Sequence, residues 1–113
     1  NEIARSAWDI FMAASSLPEN KRVYFLSHSQ SDDSGRTKIK TIGKLLDEKI
    51  VLEGLVTIVL RTVVQHGNYL FQTNNSGMDT VKTPLELFDD ELIDNDLAFV
   101  DASIFNYYNL QPT

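Results

Sequence analysis

The chain contains no cysteine, which excludes disulfides, thiolate metal sites and a cysteine nucleophile. A cysteine-free chain fits a reducing compartment. No run of apolar residues approaches the roughly 18–20 needed to cross a bilayer, and no signal-peptide pattern opens the sequence. These two absences lead to the expectation of a soluble, intracellular protein. There are only three prolines and five glycines in 113 residues, so low-complexity linkers are excluded as well. What remains is 42% apolar, near the norm for globular chains, and long enough for one domain spanning residues 1–113.

Charge is unevenly placed. The net value is −6, yet residues 36–49 hold Arg36, Lys38, Lys40, Lys44 and Lys49 against two acids. From Asp79 onward there are eight acids and one lysine, Lys82. An acidic chain is a poor general nucleic-acid binder, but a local basic segment still makes a phosphate-contacting patch. Contacts are made locally, so the basic segment carries more weight than the total.

Periodicity predicts a helix over residues 2–17, with Ile3, Ala7, Phe11 and Ala4, Trp8, Met12 on adjacent stripes, stopped by Leu17-Pro18. Arg22 to His28 is a short apolar run that reads as a strand covered on both faces. A polar loop, 29–40, follows. Ile42, Leu45, Leu46 and Ile50 recur at helical spacing and suggest a crossover helix. Val56 to Val64 is β-branched, Gln65-His-Gly-Asn68 turns it, and Tyr69 to Thr73 returns antiparallel as a hairpin. Thr83, Pro84 and Glu86 have the form of a capping box opening a helix. A last helix is expected over about 96–108, with Leu97, Val100, Ile104 and Tyr108 inward. A doubly covered strand followed by a helical crossover argues for an α/β fold with a mostly parallel sheet and an antiparallel edge hairpin.

Several stretches invite chemistry. Gly43-Lys44 looks like part of a phosphate loop, but the position five before Gly43 is Lys38 and the residue after Lys44 is Leu45. The motif needs glycine and a hydroxyl there, so it fails at both ends. His28, Ser29 and Gln30 end the first expected strand, where ligands sit in open α/β sheets. A polar strand end bonding its own loop is the plainer explanation. The basic loop would hold phosphate without reading sequence, or is simply a solvated loop. Lys82 either reaches a phosphate or balances Asp79 on the surface. The acids at 89–91, 94 and 96 lack the calcium-loop pattern and read as solvated faces and caps.

Val23-Tyr-Phe-Leu-Ser-His-Ser-Gln30, Lys38 to Lys49, Val56 to Thr62 and Gly77-Met-Asp-Thr-Val-Lys-Thr-Pro84 together resemble the C-terminal half of phage RecA-like ATPases. These are the P-loop (AAA) ATPases of single-strand annealing and recombination. The resemblance spans roughly residues 5–108 and implies part of a RecA-like three-layer core. It places the phosphate loop and the magnesium-binding strand upstream, in a longer product that binds ATP and Mg²⁺. By position, His28 and Gln30 correspond to the sensor of the terminal phosphate. Arg36, Lys38, Lys40 and Lys44 correspond to the DNA-facing region. Lys82 corresponds to a lysine that reaches the ATP of a neighbouring subunit. The implied partners are single-stranded DNA, further copies of the chain and a phage single-strand binding protein, in the cytoplasm of a bacterial host. The alternative is a stand-alone nucleic-acid or protein binding module without nucleotide chemistry.

Overall fold

A computed structural model describes residues 2–31, 35–39 and 56–110. The first element, α1, is Glu2–Ser15. It closes where Ser15 and Ser16 turn their hydroxyls back onto the carbonyls of Met12 and Ala13, just ahead of Pro18. The Phe11 ring of this helix stacks on Phe25 at 4.1 Å between centroids.

Residues 22–28 form no strand. The segment is without regular structure, and Leu26 is 88% exposed. An apolar run becomes a doubly covered strand only when neighbours pair with both its edges, and no described residue pairs with it. The next part of the chain, expected to be a loop, contains a short antiparallel hairpin. Strand β1 is Ser29–Ser31 and β2 is Thr37–Ile39, with Gln30 opposite Lys38. The crossover helix expected around Ile42 to Ile50 lies outside the described residues.

The main sheet has three strands in the order β3-β4-β5, where β3 is Arg61–Gln65, β4 is Asn68–Gln72 and β5 is Leu92–Asp94. Both pairings are antiparallel. Gln65 and Asn68 face each other, so His66 and Gly67 are the entire turn, with φ of 53° and 79°. Two successive positive φ values define the hairpin turn whose twist matches the flanking strands. The expected mostly parallel sheet and RecA-like three-layer core are therefore corrected. Among the described residues there are two helices and antiparallel sheets, with no parallel pair. A two-residue turn joins β3 to β4, and a connection that short permits only antiparallel pairing.

The capping-box reading at Thr83 is also overturned. Its hydroxyl donates to the Thr73 carbonyl at 2.9 Å, and no helix follows it directly. Pro84 to Leu87 makes a turn closed by a 3.1 Å backbone bond, with Glu86 at φ 65° in its third position. The final helix, α2, is Leu97–Tyr107, capped by Asp96, whose carboxylate accepts from the amides of Ala98 and Phe99. Val100 and Ile104 are buried as expected, whereas Leu97 and Tyr108 are largely exposed. Among the described residues the buried ones are few: Val81, Val100 and Ile104 with the polar Gln72, Thr73 and Asp79. They come from the end of β4, the loop after it, and α2. That loop is where the candidate site stands.

Candidate functional site

The loop from Thr73 to Thr83 has no helix, and among the described residues its one ladder contact is a bridge between Lys82 and Val59. It is nevertheless closely held. The Asn75 side chain accepts from the amide of Gly77 at 2.5 Å, which closes a local turn, and Gly77 follows with φ of 97°. The other end of the Asn75 amide donates to the carbonyl of Asp79 at 2.7 Å. The Asp79 side chain then collects three donors. Oδ2 accepts from Ser76 Oγ at 2.6 Å and Gln72 Nε2 at 2.8 Å, and Oδ1 accepts from the Val81 amide at 3.0 Å. Gln72 Nε2 also donates to the Asn74 carbonyl.

Asp79 is only 7% exposed. Burial pushes its carboxyl up, but the hydrogen bonds from Ser76, Gln72 and Val81 together hold it below the usual carboxylate range. The expectation that Asp79 serves as a surface counter-charge for Lys82 is therefore replaced by a different arrangement. Its carboxylate faces inward to three neutral donors, and Lys82 is not among them.

Lys82 is held by its backbone. Its amide donates to the Val59 carbonyl at 3.0 Å, and the Val59 amide donates to the Lys82 carbonyl at 2.9 Å. The side chain is exposed, and its ammonium makes no hydrogen bond or ion pair among the described residues. A cation with a fixed root and a free head is suited to meeting an anion delivered from outside.

The basic hairpin touches this loop. The Thr37 amide of β2 donates to the Met78 carbonyl at 2.7 Å. Gly35, at φ 86°, runs close enough that a Cβ there would lie 3.5 Å from Met78 Cε. Arg36 is exposed beside this contact and is engaged by interactions of its own. Gln30 and Lys38 sit at opposed register positions. The backbone thus joins the elements carrying Gln30, Arg36 and Lys38 to the one carrying Lys82. His28 precedes β1, exposed, and forms no hydrogen bond with either element among the described residues. Lys40 and Lys44 lie outside the described residues.

A second cluster was not foreseen from the sequence. Arg22 and Tyr24, two apart on an extended segment, both reach Asp101 on α2. The cue was the Arg-x-Tyr spacing, which puts both side chains on one side of an extended chain. An open cleft of about 580 Å³ lies beside these residues. Arg22 and Asp101 in its wall are committed to each other, and Lys21 also lines it.

Comparison with family models, with curated proteins and with solved structures finds no match to this chain. Among the described residues no group of three or more His, Asp or Glu is arranged to hold a metal. The donor set for the Mg²⁺ implied by the resemblance is thus not assembled by these residues, and no step is assigned to it.

Proposed function

We propose that this chain is part of a nucleotide-hydrolysing phage recombination protein that acts on single-stranded DNA as an oligomer. In this reading it presents Lys82 to the phosphates of an ATP bound by a neighbouring subunit and the basic hairpin to DNA. The observation that carries the reading is the state of Lys82: backbone fixed on both sides by Val59, ammonium unpaired among the described residues. The stretch Gly77 to Pro84, one of those that resemble the recombination ATPases, contains that lysine.

Phosphoryl transfer to water spreads negative charge over the transferred group, and most of the protein's work is positioning and charge stabilisation. A pre-placed ammonium offsets that charge without reorganising when the reaction occurs. Its effect therefore falls on turnover rather than on nucleotide affinity. His28 and Gln30, ahead of and within β1, are the candidate sensors of the terminal phosphate in this reading. Arg36, Lys38, Lys40 and Lys44 neutralise DNA phosphates.

The test is DNA-stimulated ATP hydrolysis by the natural gene product. Lys82→Ala is expected to lower kcat by roughly 10²-fold or more with little change in KM, the size typical of losing one charge-stabilising donor. Undiminished hydrolysis in Lys82→Ala removes the proposed role. A wild-type product that binds single-stranded DNA yet hydrolyses no ATP leaves the stand-alone binding module in its place.

A further inference from the structure

We infer that Asp79 is the positioning residue that fixes Lys82 for its phosphate, an inference that rests on the reading of Lys82 given above. The bridge to Val59 holds the backbone of Lys82, but the loop leading into it has little regular structure to set its path. Asp79 Oδ1 takes the amide of Val81, the residue directly before the lysine. The Val81 side chain is itself buried. Val81 is thus fixed through both its backbone and its side chain, and the rotation of the chain into Lys82 is set there. On the far side, Thr83 is tied through its hydroxyl to the Thr73 carbonyl. The lysine stands between two anchored neighbours.

The carboxylate suits this role in a way its amide analogue does not. The groups bonded to the Asp79 carboxylate are donors, among them one hydroxyl, one amide of a side chain and one amide of the backbone. An ionised carboxylate is acceptor-only and satisfies all of them. An asparagine of the same shape presents an NH₂ to at least one donor. The Ser76 hydroxyl can rotate to accept, but Gln72 is already committed to the Asn74 carbonyl through the same nitrogen. The mismatch therefore falls on the Gln72 contact and loosens the turn that carries Val81. Asp79 is itself buried away from any incoming nucleotide, so it acts through Lys82 and not on the phosphate.

The experiment compares Asp79→Asn, Lys82→Ala and the double variant in the natural gene product. Asp79→Asn is expected to lower kcat for ATP hydrolysis about 10-fold, with KM changed by less than about 2-fold, as for a displaced catalytic group. In the double variant the loss should equal that of Lys82→Ala alone, because two residues acting through one ammonium are not additive. A readout independent of turnover is hydrogen exchange at the Lys82 amide, expected to quicken about 10-fold in Asp79→Asn while the amides of β4 keep their protection.

Unchanged exchange at Lys82, or losses that add in the double variant, overturn the role of Asp79 and leave that of Lys82 standing. Full activity in Lys82→Ala overturns both. If Asp79→Asn fails to fold, Ser76→Ala removes one of the two donors to Oδ2 and is expected to give the same signs at smaller size. Its failure to move either kcat or Lys82 exchange counts equally against the inference.

Discussion

Arg22 and Asp101, separated by most of the chain, meet as a side-on pair: Nε lies 2.5 Å from Oδ1 and the NH2 nitrogen 2.9 Å from Oδ2. Tyr24 adds its hydroxyl to Oδ1 at 2.6 Å, and the Arg22 guanidinium also lies over the Phe105 ring at 5.5 Å. One carboxylate thus holds the N-terminal segment to α2. Asp101→Ala is expected to lower Tm more than Arg22→Ala or Tyr24→Phe, because it leaves two donors without their acceptor. Thermal melts of the three variants and the Arg22/Asp101 double variant should show a coupling that shrinks as salt is added. The pair is partly exposed, at 25% and 35% for the two side chains, so additive losses that ignore salt would contradict it.

Tyr24 should titrate well above the ordinary tyrosine range. Burial, followed by its bond to the Asp101 carboxylate and that charge, raises its pKa well above the ordinary value, with Arg22 opposing. A raised pKa means its contribution is complete below pH about 10 and is lost only as pH rises through the folded-state value. Phenolate absorbance in alkaline titration should show one late group, missing in Tyr24→Phe. That variant is expected to cost about 1 kcal/mol at neutral pH, the usual worth of one hydrogen bond.

The acid edge of stability should depend on Asp79 and Asp101. For Asp79, burial raises the pKa but is outweighed by bonds from Ser76, Gln72 and Val81. For Asp101, the bonds from Arg22 and Tyr24 lower it. Both pKa values are depressed on folding. Each carboxylate therefore stabilises the fold above its ordinary range, and the contribution disappears as pH falls through the folded-state value, below about 4. Asp79→Ala should flatten the acid limb of a stability-against-pH curve and cost about 2 kcal/mol at neutral pH, from buried donors left unmet. An unchanged acid limb in that variant would contradict the assignment.

Gly67 is expected to resist substitution for backbone reasons alone. A Cβ there meets nothing within 4 Å, yet φ is 79°. Gly67→Ala should cost about 1–2 kcal/mol in denaturant unfolding, the usual penalty for a side chain in the left-handed region. His66→Asn, at φ 53°, should be neutral or slightly stabilising, since Asn-Gly is the favoured pair for this turn.

The hairpin also supplies a test of nucleic-acid contact. Replacing Lys38 by alanine should weaken single-stranded DNA binding about equally for all sequences. It should also reduce the slope of log affinity against log salt by about 0.7 per lost phosphate contact. A variant with an unchanged slope would remove Lys38 from the interface.

The hairpin of β3 and β4 was legible in the sequence because what specifies it is local, β-branched residues and then a turn, although its first strand begins at Arg61 and not at Val56. So was α2, whose cap Asp96 and buried Val100 and Ile104 lie within three turns. The run from Val23 to Leu26 misled because an apolar segment reads the same whether two strands cover it or one helix packs on part of it, as α1 does through Phe11. Thr83 misled because Thr-Pro-x-Glu opens a turn as readily as a helix, and Pro84 to Leu87 closes as a turn. Strand β5 is only three residues long and carries too little pattern to read. In the site, the isolation of Lys82 could be seen in the charge pattern. The inward turn of Asp79 could not, since an aspartate in a polar loop ordinarily faces water.

Among the described residues, the contacts that residue 82 itself makes come from its peptide N–H and carbonyl, atoms that every amino acid except proline brings in full. The fold is therefore indifferent to which side chain stands there, and whatever the ammonium does can vanish by a single replacement that no melting curve would register. A copy with the ammonium and one without it would then share an architecture, and only an assay of what the ammonium does would tell them apart.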